Sequence, residues 1–124
     1  MGTWLAVGVG GALGAMGRHA LNAWVLRLNL VPGFPAGIFL VNVAGSAAIG
    51  LLAGLLASGR LQVSADARTF LIVGLLGGFT TFSSFSLDTL ALIRTGQPAL
   101  AALNVLGQVG LSLAAAGIGY RLGS

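Results

Sequence analysis

Residues 74–86 read GLLGGFTTFSSFS, and the rest of the chain is organised around this stretch. It is the only place where hydroxyl groups, glycines and aromatic rings occur together inside an apolar segment. The flanking sequence consists mainly of Leu, Ala, Val, Ile and Gly, which build helices but carry no reactive group. A polar, glycine-interrupted stretch at membrane depth is where a membrane protein is expected to handle a solute. Residues 74–86 are therefore the candidate functional segment.

The composition indicates a membrane protein. Of the 124 residues, 56% are hydrophobic and only 6% are charged, and the mean hydropathy is +1.00. A soluble domain carries about 25% charged residues, so this set cannot cover a water-facing surface. A transmembrane helix needs about 20 apolar residues, which leaves room for four helices and no soluble appendage. We expect one domain, residues 1–124, in a cell membrane.

Apolar runs and turn residues divide the chain into four predicted helices, at residues 3–26, 36–56, 65–93 and 99–122. The third is long for a single span, and its glycines followed by two threonines predict a break in mid-membrane. Such a break survives only where protein or water satisfies the freed backbone groups. Ser64 and Asp66 mark the expected start of this helix. The predicted fold is all-α, with four transmembrane helices and a broken third helix.

The charged residues predict the topology. Six arginines and two aspartates are present, with no lysine or glutamate, and the arginines are too scattered for a nucleic-acid surface. Four spans place Arg60, Arg68 and Arg121 on one side of the membrane and Arg18, Arg27 and Arg94 on the other. Arg18 lies deeper, so the balance is three to three or three to two, and the positive-inside rule sets little preference. We expect insertion in both orientations, which allows an antiparallel, dual-topology homodimer.

The available side chains argue against an enzyme. With no cysteine and one histidine, a thiolate, zinc or iron site is not expected, and no base lies among the serines to activate one. A small exporter that exchanges protons for substrate needs an intramembrane carboxylate, and only Asp88, near the end of a span, is present. A passive pore needs less. The alternatives are a small dual-topology multidrug-type exporter and a non-conducting membrane assembly subunit.

The polar side chains suit an anion. Hydroxyl donors come from the candidate segment at Thr81, Ser83 and Ser84, and Asn42 offers an amide from the second predicted helix. Phe82 and Phe85 are three residues apart, and the positive edges of their rings could flank a passing anion. The alternative is that the rings pack and the hydroxyls bond to their own helix. The fourth predicted helix adds polar side chains at four-residue spacing, namely Asn104, Gln108 and Ser112.

A break at glycine leaves backbone carbonyls unpaired, and carbonyl oxygens suit an alkali cation. Gly77 and Thr80 flank the predicted break, so two carbonyls from each chain of a two-fold dimer could enclose one cation. A kink satisfied by neighbouring groups is the other possibility.

Three motifs resemble a known family, the Fluc/CrcB fluoride channels. Residues 77–86, GGFTTFSSFS, resemble the family signature GGxTTFSTFS. Residues 10–18, GGALGAMGR, resemble its glycine-rich first helix ending in arginine, and residues 37–46, GIFLVNVAGS, resemble its GTLxVNxxGS helix. The motifs occur in the family order and extend over most of the chain. This sequence departs from the pattern at Ile38, Ser84, Asp88 and the polar positions of the fourth helix.

The resemblance implies an antiparallel homodimer with two fluoride pores in the inner cell membrane, giving passive fluoride export. It implies that Phe82 and Phe85 lie beside the ion path, that Asn42 is the pore-lining amide and that Arg18 lies near a vestibule. It further implies a structural Na⁺ at the dimer centre, bound by the backbone carbonyls of Gly77 and Thr80. With the hydroxyl and amide donors, the predicted ion pathway comprises Arg18, Asn42, Thr81, Phe82, Ser83, Ser84, Phe85 and Ser112.

Overall fold

In a computed structural model, residues 1–124 form helices joined by short turns. Three helices are continuous: α1 (Gly2–Leu28), α2 (Ala36–Ala57) and α6 (Pro98–Gly123). The third helical segment, Ala65–Arg94, is composite and contains α3 (Ala65–Thr69), a π-helical stretch (Phe70–Leu76), α4 (Gly77–Phe79) and α5 (Phe82–Arg94). Helix bounds lie up to two residues beyond the predicted ranges, as at Leu28 against a predicted end at residue 26. The architecture is all-α.

Three segments have the length and apolarity needed to cross a membrane: Ala36–Ala57, Ala65–Arg94 and Pro98–Gly123, with mean hydropathies of 2.1, 1.7 and 1.6. Helix α1 has 27 residues, but its many glycines and the adjacent Arg18 and His19 lower its hydropathy. Long apolar helices of this kind, joined by short turns, make a multi-pass membrane protein.

Local chemistry explains where the helices begin. The Ser64 hydroxyl accepts a hydrogen bond from the Ala67 N–H at 3.1 Å, as an N-cap residue does. Pro98 is the first residue of α6, where the missing N–H costs no helical hydrogen bond. The turn before α6 passes through Gly96, whose φ of 76° is readily adopted only by glycine. The capping and turn residues thus fix where the helical segment that contains residues 74–86 begins and where the next helix starts.

Two glycine-lined contacts hold the helices together. Helix α1 packs on the π-helical stretch and α4, where a Cβ at Gly78 would lie 2.6 Å from the Gly11 carbonyl oxygen. Helix α2 packs along α6, where a Cβ at Gly119 would lie 2.8 Å from the Leu51 nitrogen. Close backbone approach of this kind drives helix association in lipid, where apolar burial gives no driving force. The α2–α6 seam is formed by Gly50, Gly54, Gly119 and Gly123.

Candidate ion pathway

The third helical segment is broken at Thr80 and Thr81, which both have extended backbone conformations. The Thr80 N–H still bonds to the Leu76 carbonyl at 3.0 Å, but the Thr81 N–H leaves the helix and donates to Asn42 Oδ1 at 2.9 Å. The Thr81 hydroxyl then caps α5 by accepting from the Ser84 N–H at 3.1 Å. The chain therefore ends one helix and starts another within two residues.

The break frees the two carbonyls that the sequence singles out. In a continuous helix the Gly77 carbonyl would accept from the Thr81 N–H and the Thr80 carbonyl from the Ser84 N–H. Both donors are bonded elsewhere, so both carbonyls lack their helical partners. Arg18 Nη1 donates to the Thr80 carbonyl at a long 3.3 Å. The oxygens of Gly77 and Thr80 thus suit the hard-ligand chemistry expected of a Na⁺ site.

Asn42 clamps the broken backbone from α2. Its Oδ1 accepts from the Thr81 N–H, and its Nδ2 donates to the Thr81 carbonyl at 3.1 Å. The second hydrogen of Nδ2 goes to Gln108 Oε1 at 2.7 Å. The Asn42 amide therefore has no free hydrogen, and it satisfies the backbone groups that a break inside a membrane would otherwise leave unpaired.

The clamp continues into a series of hydrogen bonds that we term the hydrogen-bond chain: Asn42, Gln108, Asn104 and Thr89. Gln108 Nε2 donates to Asn104 Oδ1 at 2.8 Å, and Asn104 Nδ2 donates to Thr89 Oγ1 at 3.0 Å. Thr89 Oγ1 donates to the Phe85 carbonyl at 2.8 Å. Asn104 is fully buried and Gln108 is 3% exposed, so water does not compete for the hydrogen bond between these two side chains.

A cavity of about 330 Å³ opens at the break. Six polar side chains line it. Asn42, Thr80, Thr81 and Gln108 are hydrogen-bonded within the chain, whereas Ser46 of α2 and Ser112 of α6 make no such bond. Apolar side chains such as Ile49, Ile72 and Val109 form the remaining wall, and no ionisable side chain lines the cavity. The predicted residues that line it are Asn42, Gly77, Thr80, Thr81, Phe82, Phe85 and Ser112.

Phe82 and Phe85 form a tilted ring pair at the mouth of this cavity. Their centroids are 5.3 Å apart and their planes meet at 49°. Phe85 is 9% exposed, whereas Phe82 is 77% exposed. Tilted rings present edges as well as faces, and the edges carry the positive end of the ring quadrupole. The pair therefore offers weak positive potential to an anion without any charged group.

Three predicted pathway residues do not line the cavity. Ser84 Oγ accepts from the Thr81 hydroxyl at 3.1 Å, and Ser83 Oγ lies 3.2 Å from the same atom on the exposed side. These hydroxyls pair with one another around the N-terminus of α5. Arg18 reaches the Thr80 carbonyl from outside the cavity. In the single chain, their hydroxyl and guanidinium groups support the break rather than line the opening.

Gln108 and Ser46 line the cavity although the predicted pathway omits them. Gln108 lies midway in the four-residue polar repeat of α6, and Ser46 is four residues after Asn42 on α2. Both spacings stack side chains on one helix face, which is the signal that identifies them.

A second cavity, of about 440 Å³, lies where the turn after α1 meets α5. Asp88 is the only ionisable side chain in its lining, and one oxygen of its carboxylate is buried without a hydrogen-bond partner. Asn29, Thr95 and Gln97 provide the other polar side chains. The two cavities share no lining residue, so Asp88 has no part in the lining of the first.

Sequence comparison relates the whole chain to one family. Residues 5–120 match the family model described as "CrcB-like protein, Camphor Resistance (CrcB)". The "Fluoride-specific ion channel FluC" of Paracoccus denitrificans is 50% identical over 121 residues, which cover 98% of this chain and 94% of the relative. The protein of the same name from Thermus thermophilus is 49% identical over 120 residues, covering 97% of this chain and 92% of the relative.

A third protein with this name, from Agrobacterium fabrum, is 46% identical over 117 residues and covers 94% of this chain and 92% of its own length. The matched region therefore extends through all the helices and spans the residues of the break, the ring pair and the clamp. This chain belongs to the CrcB-like protein family.

Proposed function

We propose that this protein is a fluoride-selective channel that lets fluoride leave the cell passively. The observation that carries the proposal is the cavity at the helix break, whose lining includes both the Phe82–Phe85 ring pair and the free hydroxyl of Ser112. It is supported by relatives at 46–50% identity that are named fluoride-specific ion channels.

Conduction requires an anion to exchange its water shell for donors that hold it weakly. Ser112 and Ser46 make no hydrogen bond within the chain, so their hydroxyls are available to an anion in the cavity. The ring edges of Phe82 and Phe85 then stabilise the anion without a full charge, which would bind it too tightly for rapid passage. Asn42 contributes indirectly, because its amide holds Thr81 and thereby the start of the helix that carries both rings.

The cavity lining favours a channel over a proton-coupled exporter. Such an exporter needs a carboxylate that takes up protons and substrate in turn, and the cavity has no ionisable lining residue. A non-conducting assembly subunit would account for the glycine contacts but would need neither the free hydroxyls nor the ring pair. The relatives are named ion channels, which supports transport as the function and not catalysis.

The functional unit in this proposal is an antiparallel, dual-topology homodimer with two pores in the inner cell membrane. Phe82 is 77% exposed in the single chain, and Gly77 of the break also faces outward. A ring so exposed at the mouth of a polar cavity is suited to cover by a second copy of the chain. The near balance of arginines between the two ends permits the two orientations that such a dimer requires.

The dimer would bring the break of each chain to a common axis. The carbonyl oxygens of Gly77 and Thr80, which lack helical donors, would then hold one Na⁺ between the subunits. Bound there, the cation supplies positive charge that neutralises the converging carbonyl dipoles. Arg18, hydrogen-bonded to the Thr80 carbonyl, holds that residue in place from within its own chain.

Removing Na⁺ tests the cation site without measuring transport. In detergent, replacement of Na⁺ by the bulky cation N-methyl-D-glucamine should lower the dimer fraction and the thermal midpoint, because the carbonyls of two chains would face one another uncompensated. Restoring Na⁺ should reverse both changes. Equal dimer fractions and midpoints in the two cations would exclude a structural role for Na⁺.

Fluoride efflux from proteoliposomes tests the function itself. Vesicles loaded with potassium fluoride are diluted into fluoride-free buffer, and valinomycin is added to carry the balancing charge. An electrode should then record fluoride release within seconds and without a proton gradient. Release no faster than from protein-free vesicles would reject the channel.

A further inference from the structure

Thr89 and Asn104 lie outside the cavity, yet the hydrogen-bond chain connects them to its centre. We propose that Thr89 and Asn104 are positioning residues, which act through Gln108 to hold the Asn42 amide in the orientation that clamps Thr81. The effect expected on fluoride flow rests on the proposed channel function. The effect on the backbone at Thr81 does not.

In the hydrogen-bond chain, one backbone group decides which side chain donates and which accepts at every step. The Thr81 N–H can only donate, so Asn42 must present Oδ1 to it and direct Nδ2 towards Gln108. Gln108 must then present Oε1 to Asn42 and donate from Nε2 to Asn104. Asn104 in turn donates from Nδ2 to the Thr89 hydroxyl. Turning over any one amide would set donor against donor at one side and acceptor against acceptor at the other.

Thr89 is the last member of the hydrogen-bond chain and fixes its donor–acceptor pattern at that end. Its hydroxyl gives its only hydrogen to the Phe85 carbonyl and is left with lone pairs for Asn104. The hydrogen-bond chain thus starts at the backbone N–H of Thr81 and ends at the backbone carbonyl of Phe85. These positions bracket the first turn of α5, which carries both rings, so α2 and α6 brace that turn from its two ends.

Because two members of the hydrogen-bond chain are buried, losing one of its bonds has a free-energy cost. Asn104 and Gln108 are shielded from water, so an amide hydrogen that loses its acceptor there finds no replacement. Buried polar networks of this kind specify one arrangement when complete and loosen when one member is lost. Loss of the Thr89 hydroxyl should therefore reach Asn42 and Thr81 through the intervening amides.

The test is amide hydrogen exchange at Thr81 in the full-length protein, measured by NMR in micelles. Thr89→Val removes the hydroxyl and keeps the branched shape, and we expect Thr81 to exchange about five- to tenfold faster, as for the loss of one net hydrogen bond. Thr89→Ser should restore the original rate. Thr95→Val is the matched control, because the Thr95 hydroxyl also donates to a carbonyl of its own helix, at Ala91, but it accepts from Gln97 in the turn and has no bond to the hydrogen-bond chain.

A second variant distinguishes an effect transmitted through the hydrogen-bond chain from a general loss of stability. Asn104→Ala interrupts the same path one step earlier, so adding Thr89→Val to it should leave Thr81 exchange unchanged. Thr81 exchange that is unaffected by Thr89→Val, or equally faster in Thr95→Val, overturns the proposal. So does a Thr89→Val effect that persists in full in the Asn104→Ala background.

The fluoride efflux assay is run on the same variants, with about a fivefold slower rate expected for Thr89→Val and recovery in Thr89→Ser. If the parent protein conducts no fluoride but Thr81 exchange responds as described, the positioning role stands and the channel proposal fails. If the protein conducts fluoride but the exchange rate of the Thr81 amide is the same in Thr89→Val as in the parent, the positioning role is rejected and the channel proposal is retained.

Discussion

Phe82 and Phe85 have the same side chain and adjacent positions on one helix edge but very different surroundings. Phe85 is buried within the chain, while most of the Phe82 ring is exposed at the mouth of the cavity. Packing within the chain accounts for Phe85. It does not account for a large exposed ring beside a polar opening, so Phe82 is the residue at which the anion-handling role of the ring pair is most directly tested.

Replacing Phe82 with Ile keeps an apolar side chain and removes the polarised ring edge. We expect fluoride efflux to slow roughly two- to tenfold, since aromatic-edge interactions contribute about 0.5–1.5 kcal/mol. The measurement is the initial efflux rate per unit of reconstituted protein. Phe39→Ile is the control, because Phe39 pairs with Phe34 away from the cavity and should leave the rate unchanged. Equal rates for Phe82→Ile and the parent would remove the ring-edge argument.

At this scale the sequence predicts which residues gather at the break but not how their hydrogen bonds are distributed. Spacing and residue type identify Asn42, Thr81 and the ring pair. The partner of Asn42 lies 66 positions along the chain at Gln108, and no local pattern specifies that contact. The expectation of a free Asn42 donor assumed an unpaired amide, whereas the structure shows both hydrogens bonded.

Among the helical elements, α2 and α6 pack as a pair, and the broken segment packs mainly on α1. Glycines bring α2 and α6 into backbone contact along the α2–α6 seam, and these two helices carry Asn42 and Gln108. The clamp on Thr81 therefore depends on the distance between two helices. A change in that distance should therefore alter the hydrogen bonds that hold Thr81 at the break.

Gly119→Ala adds a methyl group where a Cβ would meet the Ala47 carbonyl and the Leu51 nitrogen. We expect a loss of about 1–3 kcal/mol of stability, as for overpacking in a close contact, measured as a lower thermal midpoint in detergent. Gly117→Ala is the matched control on the same helix, since a Cβ there would meet nothing within 4 Å. If both variants melted at the same temperature, the seam would not depend on close approach at Gly119.

The broken element shows what a sequence can and cannot predict about helices. Three glycines followed by two threonines predict an interruption, and Ser64 and Pro98 mark helix starts by their capping chemistry. The π-helical turn at Phe70–Leu76 has no comparable local signal. Its neighbours are the glycines of α1, where a Cβ at Gly74 would lie 2.9 Å from the Ala6 carbonyl oxygen. That geometry arises from helix packing, which residue order alone does not specify.

At the scale of the whole molecule, the near balance of arginines between the two ends of the helices predicts insertion in both orientations. The chain has no cysteine, so a single introduced cysteine reports one position without background. Gln97 and Ser124 lie at opposite ends of α6 and are therefore expected on opposite sides of the bilayer.

With Gln97→Cys or Ser124→Cys, a membrane-impermeant thiol reagent added to intact cells should label about half of the chains at either position, because neither orientation is strongly preferred. Labelling after permeabilisation gives the total at each site. Full labelling at one position and none at the other would show a single orientation and exclude the antiparallel dimer.

The most direct measurement of the central claim is the release of fluoride and chloride from the same proteoliposomes, loaded with equal concentrations of both salts. We propose that the cavity, with its free serine hydroxyls, its tilted ring pair and no charged lining residue, lies on the fluoride path. We predict that fluoride empties from the vesicles within seconds of adding valinomycin while chloride is retained at the level of protein-free vesicles. Chloride release at a rate comparable to fluoride, or retention of both ions, would contradict it.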